Sequence, residues 1–505
     1  MKYHRRLTAA LLVLALAAAL FAGCGPRYRT VEGDTQSYQT SVTVGTDTLR
    51  LPIDVEDTLN PFTSKTNANR ALISLVYEPL FRTDDAFLAR PAAAESYTTE
   101  NKTMTVKLDM NAAFSDGTQI SAQDVLYSFE KAKESAAYKN ELTHITAAKR
   151  ADNTTVVFTL DGKFTNAADC LTFPIVKNGS AEKDESVPVG TGLFRYDRSD
   201  GRRSMTVNPY CRVSSVNISR IDLVQLGDDS TLLHTLELGQ IDAYWDDLAS
   251  GSFSQASTGS AKTNMPNLVY LGLNGSSAMM SSAYVRQAVY YAVNRRALAS
   301  GAFKGCASPA VTPFHPEWHV LVDSGYDTGA LSLDLSRSQE LLDTAGVSGN
   351  IGLRLIVYTG NNFKVNAANA IAGDLRKLNL RVTVEELTWE DYTAAVTGGN
   401  YDLYIGETKL PADMDLAVPY QAGVFYGINQ TDTTLVAYEQ LASGKIAMEA
   451  FMNAFLQNMP FVPLVYRMGA LEYTSVITPA ADADYNNCFK NIDQWKLTRP
   501  EDQAQ

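Results

Sequence analysis

The sequence predicts a mixed α/β protein of two or three domains, and three observations carry that prediction. First, 505 residues exceed what one core of ~100–200 residues holds, and 45% hydrophobic with 20% charged residues is a globular composition, not a disordered or fibrous one. Second, alternating apolar runs flank a capped helix between Thr103 and Leu160. Third, strand, helix and strand patterns follow one another between Leu353 and Val384, the βαβ signature of a parallel sheet.

The N-terminus is set apart from the fold. Lys2, Arg5 and Arg6 precede an apolar segment from Leu7 to Ala22, and Gly23-Cys24 closes it, the order of an export signal. Cys24 after Ala22-Gly23 resembles the bacterial lipobox, in which the thiol is lipidated and becomes the first mature residue. Residues 1–23 are therefore read as a lipoprotein signal peptide. Their removal takes the net charge from −13 to −16, which excludes a basic footprint for nucleic acid. Residues 24–44, rich in Thr, Ser, Gln and Gly, read as a flexible tether, with order expected from near Leu49. Cys170, Cys211, Cys306 and Cys488 form no CxxC pair, so no zinc ribbon or thioredoxin motif is present, and their spacing does not decide whether disulfides form.

Along the globular part, Met104, Val106 and Leu108 alternate with polar residues, and Val156, Phe158 and Leu160 repeat the pattern after an Asp152-Asn153 turn. Between them Ser121-Ala-Gln-Asp124 has the form of a capping box, followed by Val125, Phe129 and Ala132 at helical spacing. Leu268–Leu273 reads as a strand, and Ala283 to about Leu298 as one helix with a buried stripe of Val285, Ala288, Val289, Ala292 and Val293. Leu353, Leu355 and Val357 alternate as a strand; Val365, Ala368, Ile371 and Leu375 mark a helix; Leu380, Val382 and Val384 a second strand; Tyr401–Ile405 a third.

An ordered set of phrases then resembles one family. Leu59-Asn-Pro-Phe62, Leu75-Val-Tyr-Glu-Pro-Leu80, Ala113-Phe-Ser-Asp-Gly117, Ser121-Ala-Gln-Asp-Val125 and Val187-Pro-Val-Gly-Thr-Gly192 come first. Leu238-Gly-Gln-Ile-Asp242, Leu271-Gly-Leu-Asn274, Val285-Arg-Gln-Ala-Val289, Tyr291-Ala-Val-Asn-Arg295 and Pro460-Phe-Val-Pro-Leu464 follow. In this order they look like the family 5 extracellular solute-binding proteins of ABC importers, the oligopeptide, dipeptide and nickel group. The resemblance implies a type II periplasmic-binding-protein-like fold, two hinged lobes plus a small extra α/β domain. Domain I would use 45–65, 186–265 and 465–505; domain II, an insertion, 66–185; domain III, 266–464. Ligand would be trapped between domains I and III by hinge closure.

The resemblance also points to site residues. Trp245 and Asp246, with Asp247, follow the Gly239-Gln-Ile-Asp242 phrase where family members place an aromatic residue and Asn against ligand. Trp245 would pack on the ligand, with Asp246 or Asp247 offering acceptors to amines; the plainer reading has Trp245 in an interdomain core. Asp413 matches the Asp of a Trp-x-Ala-Asp-Tyr pattern that receives a peptide's α-ammonium, although Leu410 and Met414 replace the aromatic residues. Dipeptide binders carry an Arg in the loop that here reads Tyr358-Thr-Gly-Asn-Asn-Phe-Lys364, so Asn361 and Lys364 are the polar candidates there, and the missing Arg favours longer peptides or a ligand without a carboxylate.

Other motifs read as structure. Gly190-Thr-Gly192 lacks the rest of a phosphate loop and suits tight turns. His315-Pro-Glu-Trp-His319 breaks the HExxH order, and Pro316 opposes the helix that order needs, so no metal site is expected. His144 and His234 stand alone, and no GxSxG occurs. The reading is a monomeric, lipid-anchored, non-enzymatic receptor on the extracytoplasmic face of the cell membrane. It captures oligopeptides without a cofactor and passes them to ABC permease subunits. A nickel chelate, sugar or other small solute is the nearest alternative, and a surface hydrolase the alternative of another class.

Overall fold

Two buried cores organise the chain, joined by strands that run from one into the other. The computed structural model describes residues 29–32, 41–163, 166–183, 186–199, 201–225, 231–254, 259–421 and 433–499. The segment 1–23 read as a signal peptide, Cys24 and most of the segment read as a tether lie outside the described residues.

The first core is built on a five-stranded sheet and a four-stranded sheet. In the five-stranded sheet, Ser41–Ile53 lies parallel to Ser215–Gln225, which leads antiparallel to Ser204–Val207 and Phe194–Asp197. The ordered strand thus starts at Ser41 rather than near Leu49, and Arg29–Glu32 pairs against it inside the segment expected to be a tether. Val42 and Val44 are fully buried, which explains the earlier start: the alternation of Ser41-Val-Thr-Val44 already seats a core face. The four-stranded antiparallel sheet contains both expected runs, Thr103–Leu108 and Thr155–Leu160. Helix Ala122–Glu134 starts at the expected box: the Ser121 N–H and hydroxyl both donate to Asp124 (2.8 and 2.6 Å). The sheets and helices of 41–225 share one apolar core, so the insertion read as domain II packs continuously with domain I.

The second core surrounds most of a seven-stranded sheet. Its strands run Ala243–Asp246, Phe461–Tyr473, Gly259–Leu273, Leu403–Lys409, Ile351–Tyr358, Leu380–Leu387, with Ala307–Pro309 against the second. Ile351–Tyr358 and Leu380–Leu387 are parallel with helix Asn362–Arg376 between them, as the periodicity predicted. The helix expected to reach Leu298 ends at Ala292. Asn294 stops it: its backbone N–H donates to Asp374, and its side chain caps a new short helix by accepting from Ala297 N–H.

The long strands Gly259–Leu273 and Phe461–Tyr473 connect the cores. Ala261, Met265 and Leu471 pack on the first core, while Leu268–Leu271 and Phe461–Tyr466 are buried in the second. Between Thr263 and Asn267 the pairing slips register. Such an irregularity breaks the ladder and re-aims side chains, and here it falls where the chain passes between lobes.

Candidate functional site

The site lies at that crossing. A cavity of about 200 Å³ is lined from the sheet side by Trp245, Met265, Asn267 and Lys409. From the first lobe, in whose core Trp245 and Met265 also pack, helix Asn67–Val76 supplies Asn67 and Arg70, the segment after helix Ala122–Glu134 supplies Tyr138 and Glu141, and the C-terminal loop supplies Tyr485. Trp245, on the edge strand Ala243–Asp246, reaches over Gly469; a Cβ there would run into the indole, so glycine is what lets the ring lie on the sheet.

Trp245 and Asp247 are the two sequence-derived candidates on the cavity wall. Trp245 is nearly buried and also belongs to the first core, so it joins wall and packing. Asp247 accepts from the Asn67 side-chain amide (3.0 Å) and the Ala249 N–H (2.9 Å). Asp246 turns into its own loop, accepting from Leu248 N–H. Asn361 is buried; it caps helix Asn362–Arg376 by accepting from Lys364 N–H and donates to the Ala249 carbonyl. It therefore clamps the 249–251 segment between the lobes, and Gly251, at φ +72°, has no room for a Cβ beside it.

Lys364 pairs with Glu407 (2.8 Å), which is also held by Arg467 (2.7 Å). Burial opposes the charge on Glu407, but Lys364 and Arg467 outweigh it and hold the carboxyl down to about 2. Asn267 donates to the same carboxylate and so couples this group to the cavity wall. Glu407, Arg467, Arg70, Glu141 and Lys409 were all missed from the sequence. For Arg467 there was a signal: one arginine inside the apolar strand Phe461–Tyr473 must find a partner when buried. Arg70 and Lys409 had none, since an isolated cation on a helix or strand end looks like solvated surface.

Asp413 stands behind the cavity wall. It is buried, accepts from Asp415 N–H (3.1 Å) and is hydrogen-bonded by the Cys170 thiol. Burial and the charge of Asp415 push its carboxyl up to about 7. Glu141, the acid in front of it on the cavity wall, accepts from Ala412 N–H (2.9 Å) and from Tyr485, and burial raises its carboxyl. His144, isolated in the sequence, is far from solitary in space: Nδ1 meets Asp161 (2.9 Å) and Nε2 meets Asp415 (3.1 Å). Burial works against its charge, but Asp415, Asp413 and Asp161 hold the imidazolium up to about 9. Glu141–Ala412, His144–Asp415 and Asp169–His319 (2.8 Å) tie the insertion to the second lobe.

The remaining motifs are structural. His234 is exposed on a short helix ended near Gly239. His315 is buried against Phe87 and Tyr466, and burial alone pushes it down to about 3. Among the described residues, Cys170, Cys211, Cys306 and Cys488 are buried and form no disulfide. No helix among the described residues is long and apolar enough to cross a membrane.

Two α/β lobes joined by crossing strands, with a polar and aromatic cavity at the crossing, define a binding protein of the type II periplasmic class. The chain belongs to the bacterial extracellular solute-binding proteins, family 5, whose family model matches residues 89–421. It is 26% identical over 494 residues to the glutathione-binding protein GsiB of Shigella flexneri serotype 5b, covering 90% of this chain and 92% of that protein. Among solved structures, the ABC transporter substrate-binding protein CtaP of Listeria monocytogenes shares the fold with a TM-score of 0.72 at 16% identity, covering 90% of this chain and all of that one. The oligopeptide-binding protein AppA of Bacillus subtilis, solved with a nonapeptide, does so at 0.59 and 17%, with the same coverage. Members of this family are transport binding proteins, not enzymes, which sets the hydrolase alternative aside.

Proposed function

We propose that this protein is a lipid-anchored receptor that captures short peptides in the interlobe cavity and delivers them to an ABC permease. One observation carries the reading: the cavity wall combines aromatic rings with both charge signs, Asp247 and Glu141 against Arg70 and Lys409. That set complements the ammonium and carboxylate at the two ends of a peptide, and Trp245 and Tyr138 supply apolar surface between. A volume of about 200 Å³ lies below the ~300–1,000 Å³ of drug-sized sites, which favours a few residues over a long chain. The cations that the loop at 358–364 does not bring to the cavity are supplied by Arg70 and Lys409 instead.

In this proposal Asp247 receives the ammonium. Truncating one partner of such a pair costs ~2–5 kcal/mol, so Asp247→Asn weakens free peptides about thirtyfold or more and leaves N-acetylated ones nearly unchanged. Calorimetric titration of both ligand types checks this. If Asp413→Asn shows that pattern instead, the ammonium belongs to Asp413; if neither variant does, the peptide reading falls. For the anchor, Cys24→Ser is expected to move the protein from the membrane to the soluble extracytoplasmic fraction, because lipid chains hold a protein on a bilayer and a cleaved signal does not. An unchanged membrane fraction would remove the lipobox assignment.

A further inference from the structure

We propose that the tip of the hairpin formed by Phe81–Thr83 and Ala89–Pro91 is a latch between the lobes: Phe87 seats in a socket of the second lobe as the lobes shut and withdraws as they open. The inference rests on hinge closure about the crossing strands and is independent of what the cavity holds. Among the described residues before 226, Phe87 alone belongs to the second core, whereas Phe81 and Ala89, at the base of the same hairpin, belong to the first. Phe87 is 0% exposed, and its ring meets the His315 imidazole edge to face at 4.9 Å, with Tyr466 next to that imidazole at 4.7 Å. A ring carried by one body and buried in another must leave its socket whenever the two part.

The tip is built to present that ring. Asp84 accepts from the N–H groups of Ala86 and Leu88 (2.9 and 3.1 Å) and is itself gripped by Arg90 (2.6 Å). Phe87 stands at φ +60°, a left-handed conformation that a bulky residue rarely takes. Such strain persists where the surroundings over-determine it, and it gathers at clamps and switches. The second lobe and the crossing strand hold the tip by polar contacts as well. His319 N–H donates to the Ala86 carbonyl (3.0 Å), and the Asn264 side chain, on Gly259–Leu273, donates to the Asp85 carbonyl (3.1 Å). His319 Nε2 then meets Asp169 (2.8 Å), which also accepts from Ala89 N–H (2.7 Å). Both histidines of His315-Pro-Glu-Trp-His319 thus serve the tip, one as a wall of the socket and one at its polar rim. Burying the ring supplies attraction without direction, and the hydrogen bonds supply the register.

Cys170 reports the opening. Its thiol is buried against Asp413 of the second lobe, whereas Cys211 is buried inside the first core. Parting of the lobes frees Cys170 alone; unfolding frees both. The purified protein, wild type and Phe87→Ala, is treated with iodoacetamide, and labelling of each cysteine is followed by peptide mass spectrometry. Phe87→Ala is expected to speed labelling of Cys170 about tenfold or more and to leave Cys211 unchanged, with a larger radius of gyration by X-ray scattering. Phe87→Leu, which keeps an apolar plug, is expected to lie between. Where Cys170 labels ahead of Cys211 in the wild type and Phe87→Ala does not change its rate, the latch is overturned and the hinge stands. Cys170 and Cys211 labelling in step in both proteins overturns hinge and latch together. If both alanine and leucine variants fail to fold, or speed Cys211 along with Cys170, the ring is part of the fold and not a latch.

Discussion

Glu407 shows how one residue can hold a wall in place. Its side chain is 12% exposed and faces Lys364, 18% exposed, and Arg467, 3% exposed. Removing one member of a buried charge group strands the others, at a cost of ~3–5 kcal/mol, far more than a surface pair is worth. Glu407→Gln is therefore expected to lose stability on that scale in urea melts, and Arg467→Met to lose more than Lys364→Met, because Lys364 is the cation that water still reaches. Equal, sub-kcal losses for all three would show the group to be solvated. The same residues explain a limit of sequence reading: Lys364 was legible as a cation near the cleft, but its partner lies 43 positions away on a neighbouring strand, and nothing local specifies that pairing.

Among elements, the contact between the segment after helix Ala122–Glu134 and the loop after Leu403–Lys409 is where pH acts. His144 there sits between Asp161 and Asp415, with Asp413 close by. Its folded-state value of about 9 lies above the ~6.5 of a free histidine. The contribution is thus complete below pH ~6.5 and lost as pH rises through about 9. Asp413, raised to about 7 by burial and by Asp415, acts in the same direction, whereas Asp415 itself, held low chiefly by His144, acts oppositely. Melting temperature is expected to fall between pH 7 and pH 10, and His144→Gln to flatten that fall. An unaltered slope in the variant would show that the histidine does not hold the loops together.

At the scale of the molecule, two cores share two long strands and a small cavity, so ligand should act on both lobes at once. Anything that binds the folded form alone stabilises it by RT ln(1 + [L]/Kd), about 2.7 kcal/mol at a hundredfold excess over Kd. The expected readout is a rise in melting temperature together with a smaller radius of gyration by X-ray scattering as the lobes are held shut. A thermal shift with no change in dimensions would describe a rigid pocket rather than a hinge. The cross-lobe ties Glu141–Ala412, His144–Asp415 and Asp169–His319 are the contacts such a motion would make and break.

The sequence alone determined the α/β class, the capped helix at Ser121, the βαβ unit of 351–387 and, through its ordered phrases, the family, because each rests on local periodicity or contiguous residues. Through that resemblance it also singled out Trp245 and Asp247 as ligand-binding candidates, and the structure is what puts them on the cavity wall. It misjudged where order begins, since Ser41-Val-Thr-Val44 is too short to stand out without its parallel partner Ser215–Gln225. It could not find Arg70, Glu141, Lys409 or Arg467, nor see that Asp413 lies behind Glu141, because a cavity is a property of surfaces brought together from distant parts of the chain. Hydrophobic pattern sets which face of an element is buried; only the packing of two lobes decides which charges are left facing the space between them.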